Sequence, residues 1–258
     1  MGMDIASLFG RLTQRRALSL WREAAAEAET ADLDTLRRLR SRARALRRQI
    51  DRVLHVAEGR LALPLIGSNA IVRPPLSDWV WRPPLWRGPL HPPGLAAVET
   101  GTAFGPGTTL FHDCMTSEIT LRQVRNLRES DLAPFGLRLD VFRFDGSFLS
   151  LVVEMPDEMT QSLRKRHLVR VDLSLTLEKP LEIFARLNVR HGPNTDQIVR
   201  EFPVRGAEER MVEFDLAYSR INEKRIERAW VDLIFEGPEM NQITLHDVTF
   251  SRRPRAEI

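Results

Sequence analysis

The sequence predicts a mainly β protein: an antiparallel β-sandwich, preceded by a two-helix element and a proline- and tryptophan-rich arm. Three observations carry this expectation. Val169, Val171, Leu173, Leu175 and Leu177 alternate with Arg170, Asp172, Ser174 and Thr176, the period-two pattern of a strand with one face in a core. Further segments of this kind recur from about residue 118 to residue 250, separated by turn residues. Upstream the period changes, with Leu36, Leu39, Ala43, Leu46, Ile50 and Val53 spaced three and four apart, the stripe of an amphipathic helix. The expected divisions are a helical hairpin or coiled-coil element over 1–58, an extended arm over 59–110 and the β-sandwich over 111–258, which the resemblance given below implies is a jelly roll.

The chain has 258 residues, 43% hydrophobic and 28% charged, enough for one sizeable core with a small appendage. Its formal net charge is +3, and all but three of its 38 basic residues are arginine. Cys114 is the one cysteine, which excludes an intrachain disulfide framework. Arg11, Arg15 and Arg16 interrupt any secretory h-region, and no run approaches the ~18 apolar residues of a membrane span. A cytoplasmic protein is expected, with non-standard export or association with a particle as the alternative.

Taken in order, residues from about Asp4 to Glu58 read as two helices. The first carries Ile5, Leu8, Leu12 and Trp21 and the helix-favouring run Ala24 to Ala28. Thr30 to Asp34 supplies turn and capping residues for the second. Charge divides the pair: residues 35–55 hold eight arginines, among them Arg37, Arg40, Arg44, Arg47 and Arg48, against Asp51 alone. Such a face suits nucleic acid, an anionic membrane or an acidic protein, or is simply solvated. Nucleic acid is the least favoured of these, because no zinc spacing, aromatic RNA-binding motif or helix-turn-helix accompanies it. Association with a protein partner or a second copy through the apolar stripe is the expected alternative.

Between residues 60 and 110, prolines including Pro64, Pro74, Pro75, Pro83, Pro84, Pro89, Pro92 and Pro93 forbid long helices and central strands. Trp79, Trp81 and Trp86 lie among them, and such large apolar groups do not belong to a free tether. They read as anchors pinning the arm to the sandwich, or alternatively as platforms for a sugar or a proline-rich partner. Gly101 to Gly107 lacks the lysine of a phosphate cradle and reads as a turn. His112, Asp113 and Cys114 are consecutive, so in a strand they alternate faces and form no relay by themselves. The histidines and the lone cysteine offer no zinc spacing. No cofactor is expected, a structural calcium ion being left open.

Strands are then expected near 118–125, 137–141, 148–154, 168–177, 181–190, 198–204, 211–216, 229–236 and 242–250. Asp145-Gly146 reads as a hairpin turn, and 156–166 and 219–227 are helix-compatible. His191 to Asp196 reads as a loop.

The close of the chain carries a resemblance. Trp230, Asp232 and Phe235, a glycine-containing turn, and Ile243, Leu245, Asp247 and Val248 in a last strand resemble the ending of galactose-binding-like jelly rolls, the fold of carbohydrate-binding modules. The likeness covers about residues 100–252. The complete chain is also similar to an uncharacterised bacterial family, which supplies no activity to transfer. The first resemblance implies sugar binding at rim loops or on a concave sheet face, through aromatic platforms and Asn, Asp, Gln, Arg or His. The candidates are His191, Asn194, Asp196 and Gln197 in one loop, Asn241 and Gln242 in another, and Trp79, Trp81 and Trp86 in the arm. The expected function is a non-catalytic glycan-binding or envelope-associated module with a helical docking or oligomerisation element. The alternative is a scaffold binding other proteins, and the third reading is a glycan-active enzyme using Glu154 with Asp157 or Asp232 with Glu236.

Overall fold

A computed structural model describes residues 5–61, 70–203 and 209–255, with side chains described from residue 13 onward. The side chains of Ile5, Leu8 and Leu12, Pro64 at the start of the arm, and most of the turn expected at 205–209 lie outside the described residues. The chain divides into two compact units, Met1–Leu54 and His55–Ile258.

The first unit holds helix α1 (Ile5–Glu27) and most of helix α2 (Leu33–Leu61). Asp32 caps α2: its Oδ1 accepts the backbone N–H groups of Asp34 and Thr35 at 2.9 Å, and its Oδ2 accepts the Thr35 hydroxyl. These bonds satisfy the open N–H groups of the first turn, and those from Thr35 hold the carboxyl below its usual range.

In the second unit the last turn of α2 packs by close backbone approach. Gly59 is buried, and a Cβ there would sit 2.3 Å from the Arg87 carbonyl oxygen. The strands follow as β1 (Trp79–Trp81), β2 (Gly94–Leu95), β3 (Thr102–Ala103), β4 (Thr108–His112), β5 (Ile119–Arg125), β6 (Phe135–Val141), β7 (Leu149–Glu154), β8 (His167–Leu177), β9 (Glu182–His191), β10 (Asn194–Glu201), β11 (Glu209–Asp215), β12 (Ile226–Glu236) and β13 (Asn241–Pro254). Two short helices, α3 (Pro84–Arg87) and α4 (Asp157–Ser162), interrupt them.

Among the described residues the strands form two antiparallel sheets. One runs β11-β8-β13-β6-β5-β2 with β1 also paired to β13, and the other runs β10-β9-β12-β7-β4-β3. From β6 onward the chain crosses repeatedly between them, and the facing sides interdigitate as one core. Val169, Val171, Leu173 and Leu175 of β8 meet Leu187, Val231, Leu233, Leu151 and Phe250 in that core, all buried. The expected mainly β sandwich is therefore the observed architecture.

The arm is built into this fold. Trp79, Val80 and Trp81 pair with Arg252, Ser251 and Phe250, so β1 takes the edge of β13 beyond the reach of β6. A bulge between Leu245 and Asp247 breaks the β13–β8 register, and the Trp86 indole donates to the Leu245 carbonyl there at 3.0 Å. Gln123 ties the arm down again, accepting from Leu90 N–H and donating to the carbonyls of Leu85 and Gly88.

Three expectations need correction. The segment around Asp145-Gly146 joins β6 of one sheet to β7 of the other and so makes no hairpin; Asp113 instead receives Ser147 and Phe148 N–H at its end. Residues 219–227 form no helix, because β12 already begins at Ile226. The turn after β9 is only Gly192-Pro193, with Gly192 at φ 62°, and β10 starts at Asn194. Asn194, Asp196 and Gln197 are therefore strand residues.

Candidate functional site

The inner residues Ala185, Leu187, Val189, Val231 and Leu233 enter the core, so the residues between them face outward from the six-stranded sheet. Strand register arranges these in rows. One row is Gln197, Asn188, Trp230 and Glu154. The next is Val199, Arg186, Asp232, Val152 and Thr109, and the third is Glu201, Phe184, Ile234, Ser150 and Phe111. Strands lie ~4.8 Å apart and same-face residues ~7 Å apart along a strand, so these rows form one continuous platform surface. Polar groups occupy its middle and Trp230, Phe184 and Phe111 flank them.

A connected network lies at the centre. Arg186 donates to Asp232 Oδ2 through Nε at 2.7 Å and through Nη2 at 2.6 Å. Asn188 Nδ2 donates to the same oxygen at 3.1 Å, and Gln197 Nε2 donates to Asn188 Oδ1 at 3.0 Å. Asp232 is only 3% exposed, and its other oxygen, Oδ1, is buried without a partner, as is Ser150 Oγ in the next row. Buried polar atoms are normally satisfied. Asp232 Oδ1 and Ser150 Oγ are the two such unpartnered atoms on this face among the described residues. Arg228 pairs with Glu154, donating to it from Nε at 2.8 Å, and its guanidinium lies 4.9 Å from the Trp230 ring centroid. The exposed guanidinium thus lies over the indole in a cation–π contact.

The outer face of the other sheet is partly roofed. Val72, Pro74 and Leu132 overlook a cavity of about 300 Å³ bordered by Arg170, Asp172, Ser174, Asp247 and Thr249. Some charges there pair: Arg170 with Asp172, and buried Arg82 with Asp247 through two bonds of 2.8 and 2.6 Å, whereas Arg210 Nε and Nη1, also on the lining, are buried without a partner. Arg128 bonds Asp131 and reaches Ser174.

The candidate residues inferred from sequence fall in separate places. Gln197 is on the platform. His191 is 6% exposed on the core side of β9, and its Nε2 lies 3.6 Å from Asp196 Oδ1; Asp196 also accepts the Arg220 N–H. Asn194 is exposed and opposite His191. Asn241 is buried and bonds both backbone groups of Lys179, and Gln242 donates to Asp140; both belong to β13 in the other sheet. Trp86 is fully buried. Trp79 and Trp81 are half-buried, stacked at 6.2 Å, with Trp81 5.6 Å from Phe250. Both pack in part against the core. The face residues Arg37, Arg40, Arg44, Arg47 and Arg48 are exposed on α2, with Arg37 paired to Asp34 and Arg47 to Asp51.

His112 uses both ring nitrogens on backbone, Nε2 on the Val98 carbonyl at 2.8 Å and Nδ1 on the Cys114 N–H at 3.2 Å. Burial raises the Cys114 thiol pKa, which opposes thiolate formation. Among the described residues no group of three or more His, Cys, Asp or Glu is placed to hold a metal ion. Arg186, Asn188, Trp230, Asp232, Phe184 and Ser150 were not singled out as ligand contacts from the sequence. The available signal was an aromatic residue on the polar side of two strands, Phe184 among Glu182, Arg186 and Asn188, and Trp230 beside Asp232.

The chain belongs to a family of unknown function, DUF6478, whose model matches residues 1–258. No curated protein matches it. Among solved structures it is similar to the enzymatically active domain of the bacteriophage CBA120 tailspike protein 4, with a TM-score of 0.39 and 9% identity over 56% of this chain. The match spans only 19% of that tailspike chain. It is also similar to a family 11 carbohydrate-binding module from Clostridium thermocellum, in complex with a β-1,3-1,4-mixed-linked tetrasaccharide, at TM-score 0.38 and 10% identity, covering 63% of this chain and 97% of that one. A third is the CBM22-1 xylan-binding domain from Paenibacillus barcinonensis, at TM-score 0.35 and 11% identity, covering 62% and 100%.

Proposed function

We propose that the chain is a non-catalytic glycan-binding module whose ligand lies across the outer face of the six-stranded sheet. The observation that carries this reading is the connected polar network of Arg186, Asp232, Asn188 and Gln197, set beside Trp230, Phe184 and Phe111. Sugar hydroxyls both donate and accept, so they suit a carboxylate, a serine, an amide and a guanidinium arranged side by side. The apolar faces of sugar rings suit the flanking aromatic groups. Arg228 would leave Trp230 as the ligand arrives, keeping its charge on Glu154.

The carboxylates favour binding over hydrolysis. Asp232 and Glu236 share one face of β12 four residues apart, a backbone separation of ~13 Å, against the ~5–9 Å used by glycosidase pairs. Glu154 is engaged by Arg228.

The test is an array of neutral and acidic oligosaccharides probed with the full chain and with the Arg186→Ala and Gln197→Ala variants. A saturable signal that both variants weaken is expected. A blank array, or a signal indifferent to both substitutions, would overturn the reading.

A further inference from the structure

Residues 13–54 of the first unit include no buried side chain. Along α2, Leu46, Ile50, Val53 and Leu54 stand exposed, Ile50 at 48% and Val53 at 66%. A contiguous aliphatic stripe of this kind is ordinarily covered by a neighbour, because packing of the apolar face supplies most of a helix's stability.

The flanking charges decide what that neighbour is. Leu36, Ala43 and Ile50 occupy one core position of a heptad and Leu39, Leu46 and Val53 the other, so the two flanks hold Arg40, Arg42, Arg47, Gln49 and Leu54. No flank is acidic. A second copy seated on the stripe would bring arginine against arginine in either orientation. Leu54 also widens the apolar face beyond a two-position seam. Of the eight arginines between residues 35 and 55, only Arg37 and Arg47 have an acidic partner among the described residues. The others ring the remaining circumference instead of lining the stripe alone. An acidic protein groove would meet the flanking arginines only, whereas a planar anionic surface attracts all those within a Debye length of ~8 Å. Arginine also suits such a surface sterically: its aliphatic stem lies along apolar material while its planar head binds phosphate.

We propose that α2 is an interfacial helix that lies on an anionic phospholipid surface, with Leu46, Ile50, Val53 and Leu54 among the acyl chains and the arginines on lipid phosphates. Among the described residues no helix is long and apolar enough to cross a membrane, so the helix rests on the surface and does not span it.

Co-sedimentation of the full chain with vesicles tests this. Vesicles of phosphatidylcholine with about 30% phosphatidylglycerol should bind at least ~10-fold more protein than phosphatidylcholine alone, and high salt should remove most of the difference. Leu46→Asp with Ile50→Asp, and separately Arg40→Gln with Arg44→Gln and Arg47→Gln, should each reduce binding by ~10-fold. Circular dichroism is used to check that helix content is retained in each variant. Equal binding to both vesicle types, or none, overturns the proposal. So does binding that survives the aspartate substitutions, since charge adsorption alone would then suffice. A dimer in sedimentation equilibrium that Ile50→Asp dissociates would assign the stripe to a second copy instead.

Discussion

Asp232 binds Arg186 through a single oxygen, Oδ2, at 2.6 Å, and leaves Oδ1 buried and unpartnered. The pair is 46 residues apart in sequence and is joined by the register of β9 against β12. A carboxylate built only to satisfy Arg186 would take the guanidinium with both oxygens, the stronger arrangement. Gln197 sits two contacts away on the exposed edge strand. Gln197→Ala should therefore leave stability within about 1 kcal/mol while lowering glycan affinity several-fold. Paired urea melts and array titrations read the two effects separately.

Trp86 anchors the arm at the β13 bulge. Trp86→Ala should destabilise the protein by about 3–5 kcal/mol, the range for large core truncations. Trp86→Phe keeps most of the packing but leaves the Leu245 carbonyl without its donor, and should cost about 1–3 kcal/mol. Denaturant unfolding measures both, and the Phe variant should fall between wild type and Ala.

The Arg82–Asp247 pair is the second buried anchor of the arm. Arg82→Ala strands a carboxyl whose pKa burial already raises, and should cost about 3–5 kcal/mol at neutral pH. The pH dependence has a definite sign. A carboxyl with a folded pKa above its unfolded value stabilises the fold below the unfolded value, and that contribution is lost as pH rises through the folded one. The deficit of Arg82→Ala relative to wild type should thus shrink as pH falls toward ~4. A deficit constant between neutral pH and that point would contradict burial as the cause.

His167 predicts the opposite slope in the intact protein. Burial and the neighbouring Arg252 lower its pKa, and its Nδ1 accepts the Arg164 N–H at 3.0 Å, which leaves the proton of the neutral ring on Nε2. As pH falls through the unfolded value of about 6.5, the unfolded chain gains a proton that the folded chain resists, and stability drops. His167→Gln should flatten the wild-type loss of urea midpoint between about pH 7.5 and 5.

The legible part of the fold is what local period dictates. Residues 168–177 alternate because one side of β8 meets the core, and β8 spans His167–Leu177. Of the three arm tryptophans, Trp86 is fully buried while Trp79 and Trp81 are half-buried against the core, large indoles being worth ordering where they bury area. Alternation does not say which sheet a strand joins, so Asp145-Gly146 resembles a hairpin turn while it connects two sheets. The platform was illegible for the same reason. Arg186 and Asn188 read as ordinary polar-face residues of one strand, Trp230 and Asp232 draw notice only through the resemblance and, for Asp232, as a possible acid, and only the antiparallel register of β9 against β12 sets the two pairs side by side. The loop candidates drew attention through hydrogen-bonding composition, yet Asn241 and Asp196 direct those bonds to the backbone of their own fold.

The five tryptophans give the most direct measurement of where ligand binds. Indole N–H resonances of the full chain, assigned by single Trp→Phe variants, are followed during titration with a pooled oligosaccharide library. The Trp230 resonance should shift as ligand displaces Arg228, while those of buried Trp86 and packed Trp79 and Trp81 stay in place. Shifts confined to Trp79 and Trp81, or no indole shift at saturating sugar, would contradict the outer face of the six-stranded sheet as the binding site.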